Sequence, residues 1–191
     1  MINVCVFCGA GDGRLPQFGE AAEALGTELA HRGLGLVYGG ASVGLMGRVA
    51  DAVLAAGGTA VGVLPSKLRD KEIAHTGLTA LHIVDTLEER KKLMFDLSDA
   101  FAALPGGLGT LDELSEVLTW AQLGYHDKPM GLLNVAGYFD HLLAYLDRGV
   151  SDGLLKARHL ARLRTADSPA ALLDQLLPAP QRSSAGAGGT P

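Results

Sequence analysis

Two segments of this chain carry residue types suited to chemistry on a phosphorylated ligand. The first reads Leu104-Pro105-Gly106-Gly107-Leu108-Gly109-Thr110-Leu111-Asp112-Glu113-Leu114. Its glycines let the backbone come close to a ligand. Free amides at the start of the following helix, reinforced by the helix dipole, form a ready anion site. Thr110 is placed to cap that helix or to offer its hydroxyl to a phosphate oxygen. Glu113 is expected in the first turn, either closing a capping box with Thr110 or setting a carboxylate beside a bound sugar. A box accounts for the Thr and the Glu, but not for Gly106, Gly107 and Gly109 together. The second segment is Leu87-Glu88-Glu89-Arg90-Lys91-Lys92-Leu93-Met94. Such a charged run is ordinarily a solvated helix face. The planar fork of Arg90, however, suits bidentate contact with phosphate.

These residues act together only if the fold brings them to one edge. Short β-rich runs (Asn3–Cys8, Gly35–Tyr38, Ala60–Leu64, Leu81–Val84, Ala100–Leu104, Gly131–Asn134) alternate with helically spaced apolar stretches. The expected helices are Phe18–His31, Leu45–Ala56, Leu87–Leu97, Leu111–Leu123, Tyr138–Leu146 and Pro169–Leu177. Strands without strict polar alternation, each leading into a helix, predict a parallel sheet covered on both faces. The fold class is therefore α/β, a doubly wound, Rossmann-like single domain over residues 1–177. The Gly/Ala/Ser/Pro-rich stretch 178–191 reads as a disordered tail. Ligands of such folds sit beyond the carboxyl ends of the strands, so the loops after Cys8, Tyr38, Leu64, Val84 and Leu104 are the ones to inspect.

Two of those loops are again rich in glycine: Gly9-Ala10-Gly11-Asp12-Gly13-Arg14, and Gly39-Gly40-Ala41-Ser42-Val43-Gly44-Leu45-Met46-Gly47. Gly9, Gly40, Gly44 and Met46 are thereby candidate binding residues. Neither the second loop nor the Pro105 loop is a phosphate-binding P-loop, because no Gly-Lys-Ser/Thr follows at the required spacing. None of the three matches the dinucleotide fingerprint, which disfavours NAD.

Composition narrows the class further. The 191 residues carry a formal net charge of −5 and are 48% hydrophobic, with aromatics at 5%. The charge argues against a nucleic-acid or anionic-membrane surface. No apolar run is long enough for a membrane span, and the first residues read as a strand rather than a signal peptide, so the cytoplasm is the default location. Cys5 and Cys8 fall on one strand, three residues apart, and face opposite sides of the sheet. They read as reduced strand cysteines rather than a redox or zinc pair.

At this point the motifs resemble a known family. Pro105-Gly106-Gly107-Leu108-Gly109-Thr110-Leu111-Asp112-Glu113 is similar to the P-G-G-x-G-T-x-x-E signature of the LONELY GUY (LOG) cytokinin-activating enzymes. The Tyr38–Gly47 loop resembles their Y-G-G-G-x-x-G-L-M-G segment, with Ala41 in place of one glycine. Thr119-Trp120-Ala121-Gln122-Leu123-Gly124, with His126-Asp127-Lys128-Pro129, resembles their next helix and strand lead-in. The resemblance spans roughly Val4 to Ala144. It implies hydrolysis of the N-glycosidic bond of adenine-type, N6-substituted nucleoside 5′-monophosphates to free base and ribose 5-phosphate. It implies Arg90 and Glu113 as the catalytic pair, and Gly107 to Glu113 (Leu108, Gly109, Thr110, Leu111 and Asp112 between them) as the phosphoribosyl lining. Glu72, Lys91 and Thr119 fall where the family contacts substrate. A homodimer or larger assembly built on the long helices is implied, with no metal or organic cofactor. The chain departs from the pattern at Ala10 and Gly11, where the family carries serines, and at Glu88 and Glu89, where it has Met-His.

In that reaction Glu113 would stabilise an oxocarbenium-like sugar and take a proton from water. Arg90 and the Gly107–Thr110 amides would hold the phosphate. The alternative is a nucleotide-binding sensor or carrier of the same fold, which needs the anion loop but not the carboxylate. A decarboxylase is a poor reading, since no lysine sits suitably for pyridoxal phosphate. The six histidines show no metal-binding spacing. Met46 and Met94 flank the pocket but are more often core fillers, and Trp120 reads as core or interface.

Overall fold

The structure, a computed structural model, describes residues 1–67, 69 and 74–177. Glu72 and the expected tail 178–191 lie outside the described residues. Seven strands form one sheet: β1 (Asn3–Phe7), β2 (Gly35–Tyr38), β3 (Ala60–Pro65), β4 (Ala80–Val84), β5 (Ala100–Ala103), β6 (Met130–Leu133) and β7 (Leu163–Ala166). The helices are α1 (Pro16–His31), α2 (Gly44–Ala55), α3 (Leu87–Asp96), α4 (Leu108–Leu123), α5 (Asp140–Ser151), the single turn α6 (Ala157–Leu160) and α7 (Pro169–Leu176).

The strand order is β4-β3-β2-β1-β5-β6-β7, and every pairing between these strands is parallel. The chain lays strands outward from β1 to β4, then returns to the other side of β1 and lays β5 to β7 outward again. The direction of winding reverses between β1 and β5, and the loops leaving these two strands diverge there to open a crevice. The fold class expected from the alternation is the one observed. Two short elements, β7 and α6, escaped the sequence reading because four residues are too few to show a period.

Strand alternation splits the core in two. Val4, Val6, Cys8, Leu36 and Tyr38 pack against α1, α2 and α7 on one face. Cys5, Phe7, Val37, Val63 and Phe101 pack against α3, α4 and α5 on the other. The two cysteines thus lie on opposite faces, as the period of two requires. On the second face Phe95 stacks on Phe101 at 5.5 Å and meets Trp120 edge-on at 5.0 Å. Trp120 is therefore a partly buried aromatic that joins α4 to α3 through Phe95. Among the described residues, no helix is long and apolar enough to cross a membrane.

On the first face α1 and α2 approach closely at Gly26. A Cβ there would overlap the Val49 carbonyl oxygen and lie 2.8 Å from Ala52 Cβ. Alanine normally favours a helix over glycine by about 1 kcal/mol. Overpacking against a main-chain atom costs about 1–3 kcal/mol, and a backbone oxygen cannot swing aside. Gly26→Ala should therefore lower the thermal midpoint by a few degrees. Gly149→Ala, whose nearest neighbour is Leu155 Cβ at 3.5 Å, should leave it unchanged or raise it. A scanning calorimetry pair checks both.

Candidate active site

The crevice is built by main-chain contacts between three loops. Gly9, just past β1, donates its N–H to the Pro105 carbonyl after β5 at 3.1 Å, and its own carbonyl accepts from Met46 N at 3.3 Å. Gly44 has φ +59°, and a Cβ there would overlap the Ala10 main chain, so glycine is required both by conformation and by space. On the far side, Gly106 packs against the Thr110 hydroxyl, leaving no room for a side chain. The result is a cavity of about 230 Å³ lined by Cys8, Gly9, Gly39, Met46, Arg90, Gly107, Gly109, Thr110 and Glu113, among others. A second hollow of about 390 Å³ adjoins it through Gly9, Ala10 and Gly107, and is walled by Phe18, Leu45, Pro105 and Tyr138.

Arg90 comes from the first turn of α3, whose start is capped by the Thr86 hydroxyl accepting from Glu89 N at 3.1 Å. Its guanidinium is only 9% exposed as a residue and lies across the ends of two strands. Nε donates to the Val63 carbonyl at 3.1 Å, and Nη2 donates to the Gly39 carbonyl at 3.3 Å. Nη1 is left 3.8 Å from Glu113 Oε1, and both side chains are 11% exposed. Two residues that are 23 positions apart in sequence, on different helices, thus meet inside the same cavity. The guanidinium is thus fixed by two neutral carbonyls, and a carboxylate held beside it faces the same space.

The other expected site residues divide. Gly9, Met46, Gly107, Gly109 and Thr110 line the cavity. Gly107 is the N-cap of α4, so the helix begins at Leu108, three residues earlier than the apolar spacing suggested. This corrects the expectation for Thr110 and Glu113. Thr110 is the third helical residue rather than the cap, and Glu113 lies in the second turn, so no capping box forms. The cap itself makes no side-chain hydrogen bond, which leaves first-turn amides facing the crevice.

Leu108 is 86% exposed and Leu111 36%; both stand on the outer surface of α4 rather than in the cavity. Lys91 donates to Asp112 at 3.3 Å, with its nearest approach to that carboxylate 3.1 Å, and pairs with Glu116 at 3.2 Å. Burial opposes its charge, but the two carboxylates hold the ammonium above its ordinary pKa. Lys91 and Asp112 are thus paired with each other and clamp α3 to α4. Met94 is a core residue, 1% exposed. Gly40, with φ +82°, is a buried turn residue packed near Leu64 and Leu81. Thr119 is exposed and borders a different hollow with Gln122, Leu146 and His159. Within one chain, then, the structure does not bring Lys91, Met94, Gly40 or Thr119 to the Arg90–Glu113 cavity. Gly39 does line it, and spacing alone had not singled it out.

Cys8 borders the cavity as well. Burial, with the Glu113 charge nearby, pushes its thiol far above the ordinary range, and burial does the same for Cys5. Among the described residues no cluster of His, Cys, Asp and Glu is arranged to hold a metal ion.

Comparison with known proteins bears on this site. A family model described as "Possible lysine decarboxylase" matches residues 46–176. A protein of Oryza sativa subsp. japonica, named "Probable cytokinin riboside 5′-monophosphate phosphoribohydrolase", is 53% identical over 155 residues, covering 81% of this chain and 70% of its own. A cytokinin riboside 5′-monophosphate phosphoribohydrolase of Arabidopsis thaliana is 52% identical over 160 residues, covering 83% of this chain and 70% of its own. Among solved structures, a molybdenum cofactor binding protein from Rippkaea orientalis is similar with a TM-score of 0.67 and 27% identity. That alignment covers 88% of this chain and 91% of the other.

The thiols make the first check on the site. A thiol whose pKa is raised has no thiolate to offer at mildly alkaline pH. Iodoacetamide at about pH 8, within the unperturbed thiol range, should leave Cys5 and Cys8 unmodified in the native protein and alkylate both in denaturant. Native labelling of Cys8, read by mass spectrometry, would show an ionised, accessible thiol in the cavity.

Proposed function

The chain belongs to the LONELY GUY (LOG) family, and from that premise we propose that the Arg90–Glu113 cavity hydrolyses the N-glycosidic bond of adenine-type nucleoside 5′-monophosphates. The N6-substituted, cytokinin-type nucleotides are the preferred class, and AMP is a ligand of the same site. The observation that carries the reading is the pairing of a buried arginine with a carboxylate 3.8 Å away in one glycine-walled cavity.

The phosphate is held by Arg90 and the first-turn amides of α4, where the helix dipole adds to the attraction. This remote binding energy places C1′ of the ribose over Glu113. As the bond from C1′ to the base nitrogen lengthens, the sugar gains oxocarbenium character and the Glu113 carboxylate stabilises the positive charge. Water adds its oxygen to C1′ and gives up a proton, for which Glu113 is the acceptor. The base leaves with the electrons of the broken bond and takes up the proton that Glu113 received from water, which regenerates the carboxylate, and ribose 5-phosphate remains. A decarboxylase needs a free lysine amine at the site, whereas Lys91, next to Arg90, is tied to Asp112 and Glu116.

We further propose that the protein acts in the cytoplasm as a homodimer. The exposed Leu108 and Leu111 along α4 support a second copy packing there. The likeness to a molybdenum cofactor binding protein supports a second reading, a binder that holds its nucleotide without cleaving it.

Purified protein incubated with AMP and with N6-isopentenyl-AMP separates the two, free base being followed by chromatography. The hydrolase releases base, and faster from the N6-substituted nucleotide. Glu113→Gln should lower kcat by about 100-fold or more while changing KM little, since loss of a positioned acid–base group costs about 10²–10⁴. Nucleotide bound in calorimetry with no base released would support the binder. Wild-type turnover in Glu113→Gln would remove that carboxylate from the reaction.

A further inference from the structure

Arg90 reaches its place only because of a residue that neither bears charge nor faces the ligand with a side chain. Its guanidinium rests directly on the main chain of Gly39, at the carboxyl end of β2. A Cβ at position 39 would overlap Arg90 Nη2, lie 3.3 Å from Cζ and sit 2.8 Å from Met46 Sδ. The same residue supplies the carbonyl that accepts from Nη2 at 3.3 Å. Gly39 is buried, and a guanidinium displaced from it loses the carbonyl on which Nη2 rests.

The need for glycine here is one of space, not of conformation. Gly40, the next residue, has φ +82°, where any side chain is strained, yet its nearest neighbours to an added Cβ stand at 3.2 Å or more. Gly39 has no such φ, and alanine is free to adopt its backbone geometry. What alanine cannot do is share the position with Nη2.

We propose that Gly39 is a positioning residue for the reaction: its missing side chain is the seat that sets the plane of the Arg90 guanidinium. With Nε on Val63 and Nη2 on Gly39, two of the fork's three nitrogens are fixed. The third, Nη1, is then held toward Glu113. A methyl group at position 39 lifts the fork off both carbonyls and swings Nη1 away from the carboxylate and from the phosphate that the proposed function places there. The catalytic consequence rests on that functional reading; the steric one does not.

A double-mutant cycle separates Gly39 acting through Arg90 from Gly39 acting through the fold. The variants are Gly39→Ala, Arg90→Ala and the two combined, with Arg90→Met run in parallel because it keeps the aliphatic stem but lacks Nη2 and Cζ. Thermal midpoint, kcat and KM are measured for each. Gly39→Ala alone should lower the midpoint and reduce kcat by roughly 10- to 100-fold, the usual consequence of moving a catalytic group by about 1 Å. In either Arg90 background the same substitution should cost far less in both midpoint and residual rate, the remaining 2.8 Å approach being to Met46 Sδ, which a flexible side chain can relieve. If Gly39→Ala fails to fold while the combined variants fold, the clash is again with Arg90. An equal penalty with and without the guanidinium, or failure of the combined variants to fold, overturns the proposal. Because the midpoint needs no substrate, the steric arm still decides if the wild type releases no base. In that case the functional reading fails and the seat stands or falls separately.

Discussion

A guanidinium withdrawn from water has to be met by acceptors on several sides, and the site depends on how Arg90's is met. Leaving such a charge without partners costs several kcal/mol. Arg90 finds its partners in three separate places: within β3 at Val63, just past the end of β2 at Gly39, and in the second turn of α4 at Glu113. That set exists only if β2 and β3 are neighbours, if α3 crosses over their carboxyl ends, and if α4 starts beside β1. The strand order supplies the first and, by setting β5 beside β1, the third; the packing of α3 against the second-face strands supplies the other. The demand of one buried cation and the winding of the sheet are thus the same constraint at two scales.

The helices that bring the pair together are fastened beside it. Lys91 follows Arg90 and is bonded to Asp112 and Glu116, which flank Glu113 in sequence. One cation turns inward to the cavity and the next outward to the helix–helix seam. Beneath the seam, Phe95, Phe101 and Trp120 interlock, so the seam has both an apolar floor and a charged rim. An exposed ion pair contributes little alone. Here the pairs sit over a packed aromatic cluster, where they fix the relative position of α3 and α4 more than they add to stability.

The alternation of β-rich runs with helical ones was enough to read the parallel sheet, and with it the edge where Arg90 and Glu113 would meet. Cys5 and Cys8 on opposite faces also followed from period alone. The start of α4 did not. Gly107 and Gly109 have weak helical preference, which set the expected start later, whereas the helix begins at Leu108, shortly after the Pro105 carbonyl that Gly9 ties down. That shift of three residues moved Thr110 off the cap and Glu113 out of the first turn. Lys91 was legible as a charge near the site but not as a clamp, since its partners lie on another helix at no fixed spacing. Gly39 looked like any glycine of a loop, because what demands it is a side chain 51 residues away. Thr119 is a reminder that a position on the right helix can still face another hollow.

The crevice's three loops are joined through Gly9 by main-chain atoms, Pro105 oxygen on one side and Met46 nitrogen on the other. A join of that kind is indifferent to what hangs from the neighbouring residues. Ala10 and Gly11 can stand where the family pattern carries serines, and Ala41 where it carries glycine, without loosening the cradle. Substitutions beside the join therefore alter what lines the crevice while the join itself stays in place. An architecture fastened through its backbone can exchange the side chains of its cleft without losing the cleft.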